Sequence, residues 1–161
     1  MSDLIQDWKN RKEKKHKQQA KFARQLKRQK AKKIDETAEK LHQKVFSKID
    51  CLQCANCCTS IPPIVTRSDS NRIAKYLGLK TKDFETQYLV KDEDGDVVMN
   101  ASPCPFLEKN NACAIYEQRP RACREYPHTN YFMFSQNLHL HATNARYCPA
   151  VFHILEAMMR A

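Results

Sequence analysis

Cys51-Leu52-Gln53-Cys54-Ala55-Asn56-Cys57-Cys58 sets four thiols within eight residues, and its reading decides the rest of the chain. Two-residue gaps turn successive thiolates inward toward one ion, because the short loop reverses between them. A single buried cysteine acts as a small hydrophobe, but four in one loop have no packing explanation. Side chains of the neighbours Cys57 and Cys58 diverge, so the two can serve different sites. Cys104, Cys113, Cys123 and Cys148 follow on separate downstream elements, which makes eight candidate metal ligands. A metal that joins such elements ties a domain together, and its binding free energy becomes folding free energy.

Two inorganic readings fit this pattern. Three cysteines at two-residue gaps, with a remote cysteine followed by proline, form the ligand pattern of many [4Fe–4S] sites. Cys51, Cys54 and Cys57 would supply three ligands, with Cys148-Pro149 or Cys104-Pro105 as the fourth. Eight thiolates also divide into two tetrahedral zinc sites of four. The iron–sulfur cluster is the preferred expectation and zinc the alternative. Cys58 and Cys113 stay open as ligands, Cys113 having a competing role as a buried packing thiol.

The compartment bears on the same choice. Met1 to Trp8 contains no apolar run of signal-peptide length before the lysines begin. No stretch approaches the ~20 apolar residues that cross a bilayer. The expectation is a cytoplasmic protein without membrane insertion, where closely spaced thiols bind metal rather than pair as disulfides.

Charge divides the 161 residues unevenly: the formal net charge of +10 comes from residues 1–48, with sixteen Lys and Arg against six acids. Residues 49–161 balance at zero. The reading is therefore a basic helical arm over 1–48 and a cysteine-cluster domain over 49–161. From Lys9 to Lys33 nearly every second residue is basic and Glu13 is the only acid. Its Gln, Lys, Arg and Ala favour helix. Ile34, Ala38, Leu41 and Val45 recur at helical spacing, so residues 34–48 should dock while those before them stay free. Such an arm suits salt-sensitive binding to ribosomal or other structured RNA, or another polyanion, through residues 9–33. A solvated helix that only confers solubility is the competing reading. A membrane-surface helix is disfavoured by the thin apolar face.

The domain reads as α+β, a small metal-stapled, cysteine-rich fold of short helices and hairpins behind the long basic helix. Ser68 or Asp69 caps a helix through Ile73 and Leu77 that Gly78 ends. Thr81 caps another to about Leu89. Asp94-Gly95 marks a hairpin between Tyr88–Lys91 and Val97–Asn100. Asn110-Asn111 turns the chain between Phe106-Leu107 and Ala112–Tyr116. Pro120 opens a short helix carrying Cys123, and Pro149 opens one burying Val151, Ile154, Leu155 and Met158. Asp92, Asp94 and Asp96 alternate as in a calcium loop, but the glycine is misplaced and no glutamate follows, so they form a polar hairpin tip.

Cys51–Cys58 (CxxCxxCC), Pro103-Cys104-Pro105-Phe106-Leu107, the run Cys113 to Pro127 and Cys148-Pro149 together resemble the YkgJ-type cysteine-cluster family. The resemblance covers residues 51 to about 150 and implies zinc or iron chelation by all eight cysteines. It implies nothing for residues 1–48. Flagellin lysine methylases carry a similar cluster but are much longer, and two glycines cannot form a methyl-donor loop.

Around the cluster, Arg119, Arg121 and Arg124 flank Cys123 and could steady thiolate charge, or pair with Glu117 or Glu125. Tyr116 and Tyr126 are expected to pack around the metal and limit water. His128, His139 and His141 are secondary ligand candidates, with His139 and His141 on one face of a strand-like stretch. No nucleophile and base stand at diagnostic spacing, so no catalytic residue is assigned. A redox-active iron–sulfur enzyme or subunit, and a structural zinc-stapled RNA-binding module, are the alternatives to a metal-binding protein.

Overall fold

The computed structural model describes residues 3–161. Along the chain run α1 (Asp3–Leu26), α2 (Ala31–Phe46), α3 (Cys51–Cys54), α4 (Asn56–Ser60), α5 (Arg67–Leu77) and α6 (Thr81–Tyr88). There follow β1 (Leu89–Lys91), β2 (Val97–Met99), α7 (Arg121–Glu125), α8 (Leu138–Asn144) and α9 (Pro149–Arg160), with 3-10 turns at Tyr116–Gln118 and Ser135–Asn137. The fold is mostly helical with one small antiparallel sheet, broadly α+β, led by the long N-terminal helix. Among the described residues no helix is long and apolar enough to cross a membrane.

The chain forms two compact units, one running to Cys54 and including Pro127–Ala161, the other Ala55–Tyr126. The basic segment shares a unit with the C-terminal helices.

In the first unit the central element is α9. It is buried continuously from Pro149 to Glu156, and a helix apolar on nearly every side must be surrounded. α1 packs on α8 and α9, and α2 packs on α9. Ile34, Ala38 and Val45 line the inner face of α2, as their spacing predicts. α1 contributes Ile5, Trp8, Ala23 and Leu26. Trp8 is only 1% exposed, and its indole Nε1 donates to the Ala145 carbonyl at 2.8 Å. Glu156 is a buried carboxylate on α9, met by Arg11 Nη2 at 2.7 Å and Gln19 Nε2 at 3.1 Å. His153 Nε2 lies 2.8 Å from the Leu4 carbonyl, and Arg146 pairs with Glu13 at 2.8 Å.

These contacts correct the expectation of a free helix before residue 34. The docking face of α1 uses apolar anchors only near its ends, Ile5 and Trp8 at the start and Leu26 at the finish, with Gln19 and Ala23 before that last anchor, too sparse a pattern to register as an apolar stripe. Polar side chains that find partners on α9 and at Arg146, just past α8, hold the middle of the helix instead.

The second unit is built on a smaller core: Val65, Ile73, Ala74, Phe84, Met99, Phe106 and Ile115. Thr66, rather than Ser68 or Asp69, caps α5. Its hydroxyl accepts from the Asp69 amide while Asp69 accepts from the Thr66 amide, a reciprocal capping box. Gly78 ends that helix at φ +71°, where a residue with a Cβ would be strained. α6 begins at Thr81 with Lys80 before it, and the Thr81 hydroxyl bonds Asn71 at 3.0 Å rather than capping. The hairpin pairs Leu89 with Met99, Val90 with Val98 and Lys91 with Val97. At its tip Asp92 Oδ1 accepts from the amides of Asp94 and Asp96, so that carboxylate is engaged within the turn.

Candidate metal centre

In the second unit four thiols are brought into one electrostatic neighbourhood by short-range backbone pairing. Ala55 adopts φ +46° and starts α4, which carries Cys58. The Cys58 carbonyl accepts from the Cys104 amide at 2.8 Å. Cys104 then opens a tight knuckle: its carbonyl accepts from Leu107 at 3.0 Å, and Leu107 bridges to Cys113. Glu108 donates to the Ala112 carbonyl and Ala114 to that of Phe106, with Asn111 at φ +66° in the turn. Asn110-Asn111 reverses the chain as its sequence predicts.

Cys123 arrives on α7, whose start is held from below. Asp69 is 1% exposed and accepts from Arg72 Nη2 at 2.8 Å and from the Arg121 amide at 3.1 Å. The same Arg72 Nη2 lies 3.2 Å from the Gln118 carbonyl and 3.0 Å from that of Arg119. Asp69 and Arg72 therefore clamp residues 118–121, immediately before Cys123. Pro120 serves as the N-cap of α7, one residue before the position expected.

The thiols feel one another. Cys58 is pushed down to about 7, chiefly because the Cys57 thiol donates to it, with burial acting the other way. Burial raises Cys104 and Cys113, and the charge of Cys58 raises both further. Cys123 is pushed up to about 12, first by burial of its sulfur, then by Cys104, Cys58 and Cys113. Thiolates that raise one another's pKa resist ionising together in a partly dry site unless a cation lies among them. Arg119 lowers both Cys113 and Cys123. That supports its expected part in steadying thiolate charge.

A second group lies in the first unit. Cys51 and Cys54 begin and end α3, at i and i+3 on one side of the turn, and Asp50 Oδ1 caps it through the Leu52 amide at 2.9 Å. Cys148 is the N-cap of α9, with Pro149 at the first helical position. Burial pushes its thiol up to about 12; the amides of Val151 and Ala150 donate to the sulfur, and Cys51 and Cys54 raise it. An open cleft of about 490 Å³, lined by residues from Phe46 to Gln53, reaches Cys51.

Among the described residues no cysteine is joined in a disulfide. Among the described residues, no three or more Cys, His, Asp or Glu side chains already converge on a common ion position. The donor chemistry nonetheless fits zinc or iron: two groups of sulfurs, one thiol already lowered, and amides aimed at Cys148.

Residues 50–149 match the family described as "CxxCxxCC: Putative zinc- or iron-chelating domain". The chain belongs to this family. The matched segment contains all eight cysteines and ends just inside α9, so α1 and α2 lie outside the family domain. No curated protein and no solved structure matches the chain.

Several side chains around the family's cysteines depart from expectation. His139 and His141 lie on α8, not on a strand, so a two-residue step turns them to different sides. His139 is exposed; His141 is fully buried, its Nε2 2.8 Å from the Phe134 carbonyl and its ring stacked on Phe134 at 3.8 Å. Tyr116 is 57% exposed and stacks under Arg119 at 4.0 Å, so it does not enclose a metal. Arg121 pairs with Glu125 at 2.6 Å, the simpler of its two roles. The Asp69–Arg72 clamp had a sequence signal, the capping-box spacing of Thr66 and Asp69, which charge and cysteine counting pass over.

Proposed function

We propose that this chain is a metal-binding protein that holds zinc or iron in two thiolate sets. The observation that carries the reading is the chelating-family domain over residues 50–149, which contains all eight cysteines, and their interactions support a division into two sets. Cys58, Cys104, Cys113 and Cys123 act on one another, while Cys148 is acted on by Cys51 and Cys54. Four sulfurs make a closed tetrahedral set, the arrangement of structural sites. By sequence spacing alone, Cys57 joins Cys51 and Cys54 as C-x2-C-x2-C. In the sequence, that spacing and a remote cysteine followed by proline, as at Cys148-Pro149, follow the [4Fe–4S] ligand pattern. The influence of Cys51 and Cys54 on Cys148 favours Cys148 over Cys104 as its remote member. A bound metal would neutralise the sulfurs and staple the short elements of the second unit, whose apolar core is small. If a cluster is held by the first set, it supplies one-electron chemistry.

A second reading concerns the basic helices. Their outward lysines support attachment to RNA or another polyanion, with the metal domain carried alongside.

Metal and sulfide content, with an absorption spectrum of protein purified without oxygen, tests the first reading. About four irons with matching sulfide and a broad band near about 400 nm support a cluster. Zinc alone, without visible absorption, removes the cluster and leaves two zinc sites. Protein that folds with neither zinc nor iron overturns the proposal.

A further inference from the structure

Docking of α1 sorts its charges. Ile5, Trp8, Gln19, Ala23 and Leu26 are buried on one side of the helix. Lys14, Lys17, Lys21 and Arg24 are exposed and follow one another at three-, four- and three-residue steps, which puts them in a single row on the opposite side. Among the described residues none of the four stands in an ion pair; the acid nearest in sequence, Glu13, is taken by Arg146. Between Asn10 and Gln25 the rest of this face is Asn10, Gln18 and Gln25, all exposed, with Glu13 at its margin held by Arg146 and with Asp3 and Gln6 continuing the face toward the N-terminus. It is a surface of cations and amides, and the aromatic rings of α1, Trp8 and Phe22, lie off it, buried and half-buried.

A free arm wraps any polyanion, but a docked helix presents its charges at fixed spacing. Here the row is straight and spans about 15 Å at the helical rise. Single-stranded nucleic acid is held by aromatic rings that stack on bases, and this face offers none. A lipid surface needs apolar side chains at the margin of the basic face, and the margins here are polar. A stiff line of phosphates meets a stiff line of cations without ordering either.

We propose that the outer face of α1 is a docking surface for the sugar–phosphate backbone of a double-helical nucleic acid, read through Lys14, Lys17, Lys21 and Arg24 without base sequence. This rests on the polyanion reading above and narrows it to duplex. Contacts from these four side chains would release counterions and give a log–log salt slope of about −3.6. The two sources of such a backbone, RNA and DNA duplex, differ in groove geometry and are separated by the test.

The experiment is a fluorescence-anisotropy titration of the full, metal-loaded chain across a salt series. Its probes are a blunt RNA duplex, a DNA duplex, a single strand of equal length, heparin, and vesicles containing anionic lipid. The expected result is preference for one or both duplexes over the single strand and vesicles, with a slope near about −3.6. The double variant Lys17→Gln, Lys21→Gln should lose about half of that slope. A control pair in the second unit, Lys80→Gln and Lys82→Gln, should leave it unchanged. Duplex and single strand bound alike, or heparin alone bound, overturns the duplex inference and leaves the polyanion reading standing. No binding to any probe overturns both. Duplex binding that the Lys17/Lys21 variant retains at full slope removes α1 as the surface.

Discussion

His141 and Asp69 are both buried polar side chains, and their environments act on charge in opposite ways. The imidazole of His141 donates through Nε2 to the Phe134 carbonyl while its other nitrogen has no partner, and burial pulls it down to about 4. The folded pKa lies below the unfolded value, so between them the unfolded chain binds the extra proton. The stabilisation is therefore complete above about pH 6.5 and is lost as pH falls toward 4, worth roughly 3 kcal/mol at most. Urea midpoints for the wild type and His141→Gln should converge from pH 7.5 to 5, and parallel profiles would sink the assignment. Asp69 is held below the usual carboxylate range by Arg72, Thr66 and the Arg121 amide, against burial. Asp69→Asn leaves Arg72 without its carboxylate, and breaking such a pair costs about 3 kcal/mol. The exposed pair Arg67–Glu85, at 3.0 Å, should cost under about 1 kcal/mol when Arg67 becomes Ala. Because the Asp69 clamp precedes Cys123, Asp69→Asn should also speed transfer of metal to a chromophoric chelator, and Arg67→Ala should not. Unchanged transfer in Asp69→Asn would separate the clamp from the site. At this scale the family's CxxCxxCC pattern was legible from spacing alone. The histidines were not: alternation looks the same on a strand and in a helix until neighbours such as Phe134 and Ala142 decide between them.

Among the elements, α1 and α9 mark the two ends of what sequence can express. The apolar run after Pro149 predicts a buried helix, and every residue named for its inner face is buried. α1 was legible as a helix and illegible as a packed one. Its eight basic residues from Lys9 to Arg24 dominate any average, while its contact face turns on Trp8 and on pairs formed with residues more than a hundred positions away. Long-range polar pairing leaves no periodic trace. The same holds for α5, where helix, end and glycine were clear but the cap moved to Thr66, since several hydroxyls and carboxylates in a row can each cap. Docking of α1 makes a firm prediction at Trp8, the only tryptophan. Trp8→Phe should lose the bond to Ala145 and cost about 1–2 kcal/mol, while Trp8→Ala should cost about 3–5 kcal/mol. The wild-type emission should be blue-shifted and move to the red in the same denaturant transition that removes helix by circular dichroism. A red emission in native buffer would mean that α1 is undocked.

For the molecule as a whole, the two units differ in what supports them. The first joins four long or apolar helices, and sixteen residues form its buried apolar cluster. The second has seven in its cluster and two three-residue strands, while its cysteine-bearing segments are an α4 of five residues, a knuckle and an α7 of five. A helix of five residues has no stability of its own in water, because the nucleation cost is not recovered over so few hydrogen bonds. Repulsion among Cys58, Cys104, Cys113 and Cys123 adds to the burden once their protons leave. The metal proposed above would reverse that sign, and its removal should then fall unequally on the two units. Hydrogen exchange on protein stripped by a strong chelator should show α4, the 104–113 knuckle and α7 exchanging freely. Amides of α1, α2 and α9 should stay protected to within about tenfold of the loaded protein. Returning zinc or iron should restore the knuckle first, since its donors are closest in sequence and lose the least loop entropy on closing. If α9 and α1 instead open together with the knuckle, the first set is the structural one, and the metal at Cys51, Cys54 and Cys148 holds the helical unit as well.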